Sequence, residues 1–186
     1  MRWIVLAVVF SLLAGCGSAI ERSALRSKLG DAPYKIGPVG VLVRKQSEVK
    51  SICDTIGPSN TEEIRGCYVP ERKEMVLVAD TKVALLLFKH YLEGGADLVH
   101  GVGGDFSRLG KDPYRIGPFE VWVRGKREVH FLCSVMSGKP ELLKLGCWIK
   151  GEKGTILGAQ EVILVIDEPF VLLHEIKHHF EGAWHK

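Results

Sequence analysis

Lys28-Leu29-Gly30-Asp31-Ala32-Pro33-Tyr34-Lys35-Ile36-Gly37-Pro38 returns eighty residues later as Arg108-Leu109-Gly110-Lys111-Asp112-Pro113-Tyr114-Arg115-Ile116-Gly117-Pro118. Self-similarity at a fixed period says that one structural unit is used twice, so the fold reduces to that unit and the way its copies join. Outward from this stretch, Val41, Val43, Arg44, Glu48, Val49, Cys53, Gly66 and Cys67 fall on Val121, Val123, Arg124, Glu128, Val129, Cys133, Gly146 and Cys147. After a length difference the match resumes at Asp80 with Asp167, then at Lys89, His90, Glu93 and Gly94 with Lys177, His178, Glu181 and Gly182. Gly94 to Asp97 and Gly101 to Gly104 read as a flexible linker between the copies. The first copy covers 28–96, the linker 97–107 and the second copy 108–186.

Each copy carries the same periodicities. Val39 to Arg44 and Phe119 to Arg124 alternate as strands do. Val49, Ile52, Cys53 and Ile56 recur at i, i+3, i+4 and i+7, as do Val129, Leu132, Cys133 and Met136, which predicts a helix after each strand. Cys67 to Val69 with Met75 to Ala79, and Cys147 to Ile149 with Val162 to Ile166, read as hairpins. Asp80 and Asp167 suit the N-caps of a final helix, and Gly94 and Gly182 its C-terminal turn. The expected fold is α+β, as two tandem β-α-β-β-α units.

The chain of 186 residues is 46% hydrophobic and 25% charged, enough for a folded core. Its formal charge of +3 is small and its Lys and Arg are dispersed, which excludes nucleic acid as a partner. Residues 1–15 stand outside the core: Arg2 is a minimal basic start, Trp3 to Leu13 an apolar run too short to span a bilayer, and Leu13-Ala14-Gly15-Cys16 follows. That tetrapeptide resembles the bacterial lipobox. The resemblance implies cleavage before Cys16, acylation of Cys16 with palmitate-type chains, and a lipid-anchored envelope protein tethered by residues 16–27. Gly17 in place of Asp implies, by the same resemblance, the outer membrane, facing the periplasm.

Cys53, Cys67, Cys133 and Cys147 form two pairs with the same C-x13-C spacing. An even count in an exported chain points to disulfides, so Cys53 is paired with Cys67 and Cys133 with Cys147. A four-cysteine zinc site would need shorter C-x2-4-C spacings.

Function is sought where the copies differ. Leu86-Leu87-Phe88-Lys89-His90 of the first is replaced in the second by His174-Glu175-Ile176-Lys177-His178, which reads H-E-x-x-H. On a helix His174 and His178 lie one turn apart on one face, suited to hold Zn2+, with Glu175 as general base for a metal-activated water. These residues resemble the zincin metallopeptidases. The stretch to His185 reads H-E-x-x-H-x-x-x-G-x-x-H, one residue longer before Gly182 than the metzincin pattern, and no room follows for a methionine turn. The resemblance is therefore to zincins broadly. It implies a third ligand, with His185 the first choice and Glu181 the alternative. His179 points off the ligand face. Tyr114, Tyr34 and Trp184 read as packing residues.

The expectation is an envelope lipoprotein with a zinc-dependent, amide-hydrolysing second copy acting on a peptide or protein. Val162 to Ile166, if a sheet edge, would hold an extended peptide by strand addition. The competing expectation is a non-enzymatic protein-binding lipoprotein with zinc structural or absent; a structural site would have a fourth protein ligand instead of an open water position.

Overall fold

In the computed structural model, residues 26–56, 63–94, 102–137, 143–151 and 161–182 are described. The first half contains β1 (Tyr34–Ile36), β2 (Val39–Val43), α1 (Gln46–Cys53), β3 (Gly66–Val69), β4 (Glu74–Leu77) and α2 (Thr81–Leu92). The second contains β5 (Tyr114–Ile116), β6 (Phe119–Val123), α3 (Lys126–Ser137), β7 (Gly146–Ile149), β8 (Glu161–Val165) and α4 (Pro169–Glu181). Two four-stranded mixed sheets result, ordered β1-β2-β4-β3 and β5-β6-β8-β7. In each, the parallel pair is central and an antiparallel strand closes either side.

This corrects the expected β-α-β-β-α unit to β-β-α-β-β-α. The added strands come from the repeated Tyr-Lys-Ile and Tyr-Arg-Ile. Gly37 and Gly117 adopt φ of 55° and 54°, and the proline after each has its φ held near −65° by its ring. That pair of angles suits a two-residue hairpin turn, and Ile36 pairs directly with Val39 as Ile116 does with Phe119.

Two further expectations change. Asp80 caps α2, its carboxylate accepting from the N–H groups of Lys82 and Val83. In α4, however, the N-cap is Glu168 rather than Asp167, because Pro169 takes the first helical position, where its missing N–H costs nothing. Asp80 therefore corresponds to Glu168. Val102, inside the stretch expected to be a flexible linker, is also more than a connection: it is buried, donates to the Gly66 carbonyl at 2.6 Å and accepts from the Arg65 N–H at 2.7 Å, covering the outer edge of β3.

The disulfides Cys53–Cys67 and Cys133–Cys147 are both present and tie α1 to β3 and α3 to β7. Neighbouring residues of a strand face opposite sides of its sheet. Cys67 therefore faces α1, whereas at Gly66 an added Cβ would lie 2.9 Å from Leu87 and Val83 of α2. Cys147 and Gly146 repeat the pattern toward α3 and α4. The layers run α1, first sheet, α2 with α4, second sheet, α3.

The halves lock together reciprocally in the middle layer. The β1 turn at Gly37 packs on Phe180 of α4, and the β5 turn at Gly117 packs on Leu92 of α2. Lys89 of α2 donates to the Arg115 carbonyl of β5 at 3.0 Å, and Tyr34 of β1 meets Phe170 of α4 edge-on, ring centroids 6.0 Å apart. One continuous core spans both halves, and a smaller one of Val129, Cys133 and Leu164 lies under α3. A helix between two sheets must be apolar on nearly every side. Accordingly Val83 to Phe88 of α2 and Pro169 to Lys177 of α4 are buried without a break.

Candidate functional site

The H-E-x-x-H residues lie on α4, in the buried middle layer. His174 and Glu175 are each 6% exposed, and His178 is half-buried toward the helix end. The rings of His174 and His178 stand edge to face with centroids 5.1 Å apart, as expected for i and i+4 on one helical face. His178 Nδ1 is 2.7 Å from the Gly182 carbonyl. Only a protonated Nδ1 can donate to a carbonyl, so the neutral ring keeps Nε2 as its lone-pair nitrogen, the state in which histidine binds a metal. The φ of 68° at Gly182 turns the chain at the end of α4 to bring that carbonyl back.

Glu175 takes the place of Leu87. Gly146 lies beneath it as Gly66 lies beneath Leu87: a Cβ on Gly146 would come within 2.9 Å of Glu175 Cγ and 3.0 Å of its Oε1. The carboxyl passes over this glycine and accepts the backbone N–H of Trp148. Burial pushes its pKa from 4.5 up to about 8, against the opposing pull of the Trp148 N–H and of the Lys144 and Lys28 ammonium groups.

The strand beside this carboxyl, β7, is an edge of its sheet among the described residues. Ile166 donates to the Leu145 carbonyl at 3.1 Å, so alternate residues from Leu145 face β8, and Gly146 and Trp148 turn their backbone groups outward. Among the described residues nothing pairs with that edge as Val102 does with β3. The expectation that Val162 to Ile166 is an edge fails, because β8 lies between β6 and β7. The edge is β7.

Three residues that sequence reading did not single out complete the site. The Trp148 indole lies nearly parallel to the His178 ring, at 8° with centroids 6.1 Å apart. Its Nε1 donates to Glu161 at 3.4 Å, and the same Glu161 carboxylate bonds His179 Nδ1. Gly146 supplies the clearance for Glu175. Its identity with Gly66 was visible in the repeat, but its use was not, because that depends on the helix lying over the strand. His179 is thus engaged with Glu161, off the face shared by His174 and His178.

Of the third-ligand candidates, His185 lies outside the described residues, as do Trp184 and Cys16. Glu181 is 3.8 Å from Lys177 Nζ, the counterpart of the Lys89–Glu93 pair at 3.3 Å in the first half. It therefore has the same ion-pair role as a residue in the half without the motif. Among the described residues no group of three or more His, Cys, Asp or Glu side chains could hold a metal ion. His174 and His178 supply two donors of the kind a metal takes. No helix among the described residues is long and apolar enough to cross a membrane. Compared with protein-family models, curated proteins and solved structures, the chain matches none.

Proposed function

We propose that this is a lipid-anchored protein of the bacterial envelope, built from two copies of one unit, whose second copy ends in a zinc-binding H-E-x-x-H helix and hydrolyses amide bonds of extended peptides. The observation that carries the reading is the juxtaposition on α4: paired His174 and His178 rings, with the Glu175 carboxyl reaching the outward-facing Trp148 N–H of the edge strand β7. His174 and His178 would hold zinc together with His185. Bound there, zinc would polarise a carbonyl and acidify a water. Glu175, protonated at neutral pH in the metal-free protein, would be returned to its carboxylate form by the positive charge of the zinc, and would then accept the proton of the attacking water and pass it to the leaving amine. The outward N–H and C=O of Gly146 and the outward C=O of Trp148 would hold the peptide antiparallel or parallel to β7 by strand addition, the Trp148 N–H being taken by Glu175. Its Trp148 bond gives Glu175 a fixed position beside that strand.

One observation favours a second reading, a non-enzymatic protein-binding lipoprotein with structural or no zinc. Glu175 replaces a core leucine in a helix buried from Pro169 to Lys177. Glu175→Gln separates the two. The purified chain should bind one zinc, lose it with His174→Ala or His178→Ala, and keep it with His90→Ala. With Glu175→Gln, zinc should remain while hydrolysis of a mixed-sequence peptide pool falls about a hundredfold or more. A variant that keeps zinc and full cellular complementation would leave the binding-module reading in its place.

A further inference from the structure

The large hydrophobic side chains standing exposed among the described residues gather in one place: Phe131 at 64%, Val135 at 66% and Met136 at 50% on α3, and Leu143 at 55% just before β7. The Lys144 N–H donates to His130 Nδ1 at 3.3 Å, which brings Leu143 against the α3 surface. Phe131 and Val135 are one turn apart on its outer face. This face is not needed for folding, since α3 already buries Val129 and Cys133 against Leu164 on its inner side.

The other copy shows that the patch is not inherent in the unit. Ser51, Thr55 and Glu63 occupy the positions of Phe131, Val135 and Leu143. Charge changes in the same direction. Residues 44–64 hold three Lys or Arg and four Asp or Glu, whereas residues 124–144 hold five Lys or Arg and two Glu. One of those two, Glu128, is paired with Arg124 at 3.5 Å. Apolar side chains among an excess of cations are suited to an interface with acyl chains below and anionic headgroups around them.

We propose that the outer face of α3 docks on an anionic phospholipid bilayer, with Phe131, Val135, Met136 and Leu143 entering the headgroup boundary and Lys126 and Arg127 meeting lipid phosphates. The role of this contact, to orient the domain, rests on the lipid-anchor reading; the contact itself does not. Cys16 is ten residues before Arg26, a leash of at most about 35 Å. That is roughly one diameter of a domain this size. A tether of at most that length would hold the domain against the membrane, where its surface chemistry favours one face over another. Tethering also raises the local lipid concentration, so a patch of modest intrinsic affinity is enough.

The test uses the chain from position 16 with Cys16→Ser, so that no acyl chain contributes, sedimented with vesicles of zwitterionic phospholipid containing phosphatidylglycerol. Binding is expected at millimolar lipid, weakened by half-molar salt, and reduced about tenfold or more by Phe131→Ser with Val135→Thr, the residues of the first copy. Lys126→Glu with Arg127→Glu should weaken binding without touching the apolar residues. Equal sedimentation of parent and Phe131→Ser/Val135→Thr protein, bound or unbound, overturns the proposal. So does a dimer in solution that the same double substitution dissolves while vesicle binding is absent. Palmitate incorporation at Cys16 is measured separately, so failure of the anchor reading would be seen independently.

Discussion

Gly66 and Gly146 hold equivalent places in β3 and β7, and each makes room for one side chain of the helix above it. In the first half that side chain is Leu87, in the second Glu175. Backbone, clearance and layer are the same; only the chemistry differs. A leucine there adds to the core, whereas a carboxyl must be desolvated and is held mainly by the N–H of Trp148. The comparison teaches that the second half carries a buried carboxyl where the first half packs a leucine, a group that costs stability and that the packing does not require, as a residue kept for the proposed chemistry would.

The largest expected effect comes from making the halves alike. Glu175 has its pKa raised from 4.5 to about 8 by burial. The folded metal-free protein therefore holds this proton more tightly than the unfolded chain. Stability is fully present below about pH 4.5, falls as pH rises toward 8, and levels off above, a loss that linkage puts at up to about 5 kcal/mol. Glu175→Leu should remove this decline and raise the urea midpoint far more at pH 8 than at pH 4. Equal gains at both pH values would show that the carboxyl is not desolvated.

A middle-sized effect probes the reciprocal joint. Gly37→Ala and Gly117→Ala each place a Cβ at positive φ, 2.5 Å from Phe180 Cγ and 2.8 Å from Leu92 Cβ respectively. Each should cost about 1–3 kcal/mol in denaturant unfolding, and by similar amounts. If only one substitution is costly, the two halves do not support each other symmetrically. The smallest effect is expected for Glu181→Gln, which removes an i,i+4 pair between partly exposed Glu181 and buried Lys177. Stability should change by no more than about 1 kcal/mol and zinc stoichiometry not at all. Loss of zinc would make Glu181 the third ligand in place of His185.

Much of this was legible in the residues. The C-x13-C spacing named both disulfides because each bridge closes within one copy and the copies share a register. Apolar alternation and helical spacing placed β2, β3, β4 and α1 with their counterparts. The strands β1 and β5 escaped because three residues are too few for a period, and the evidence for them lay in the Gly-Pro turn. Asp167 was misjudged as a cap because an acidic residue before a helix is a good signal only until a proline claims the first helical position.

The sequence by itself determined the self-similarity at eighty residues, the disulfide pairing, all but the two shortest of the strands and the four main helices, and the place where His174 and Glu175 stand against Leu86 and Leu87. All of these depend on local spacing or on comparing one copy with the other. Tertiary structure alone decided that α4 lies between two sheets, that β7 rather than β8 is the edge, and that Glu175 crosses Gly146 to reach Trp148. Those facts arise from contacts between segments far apart in the chain, and no spacing along one segment records what another will lay against it.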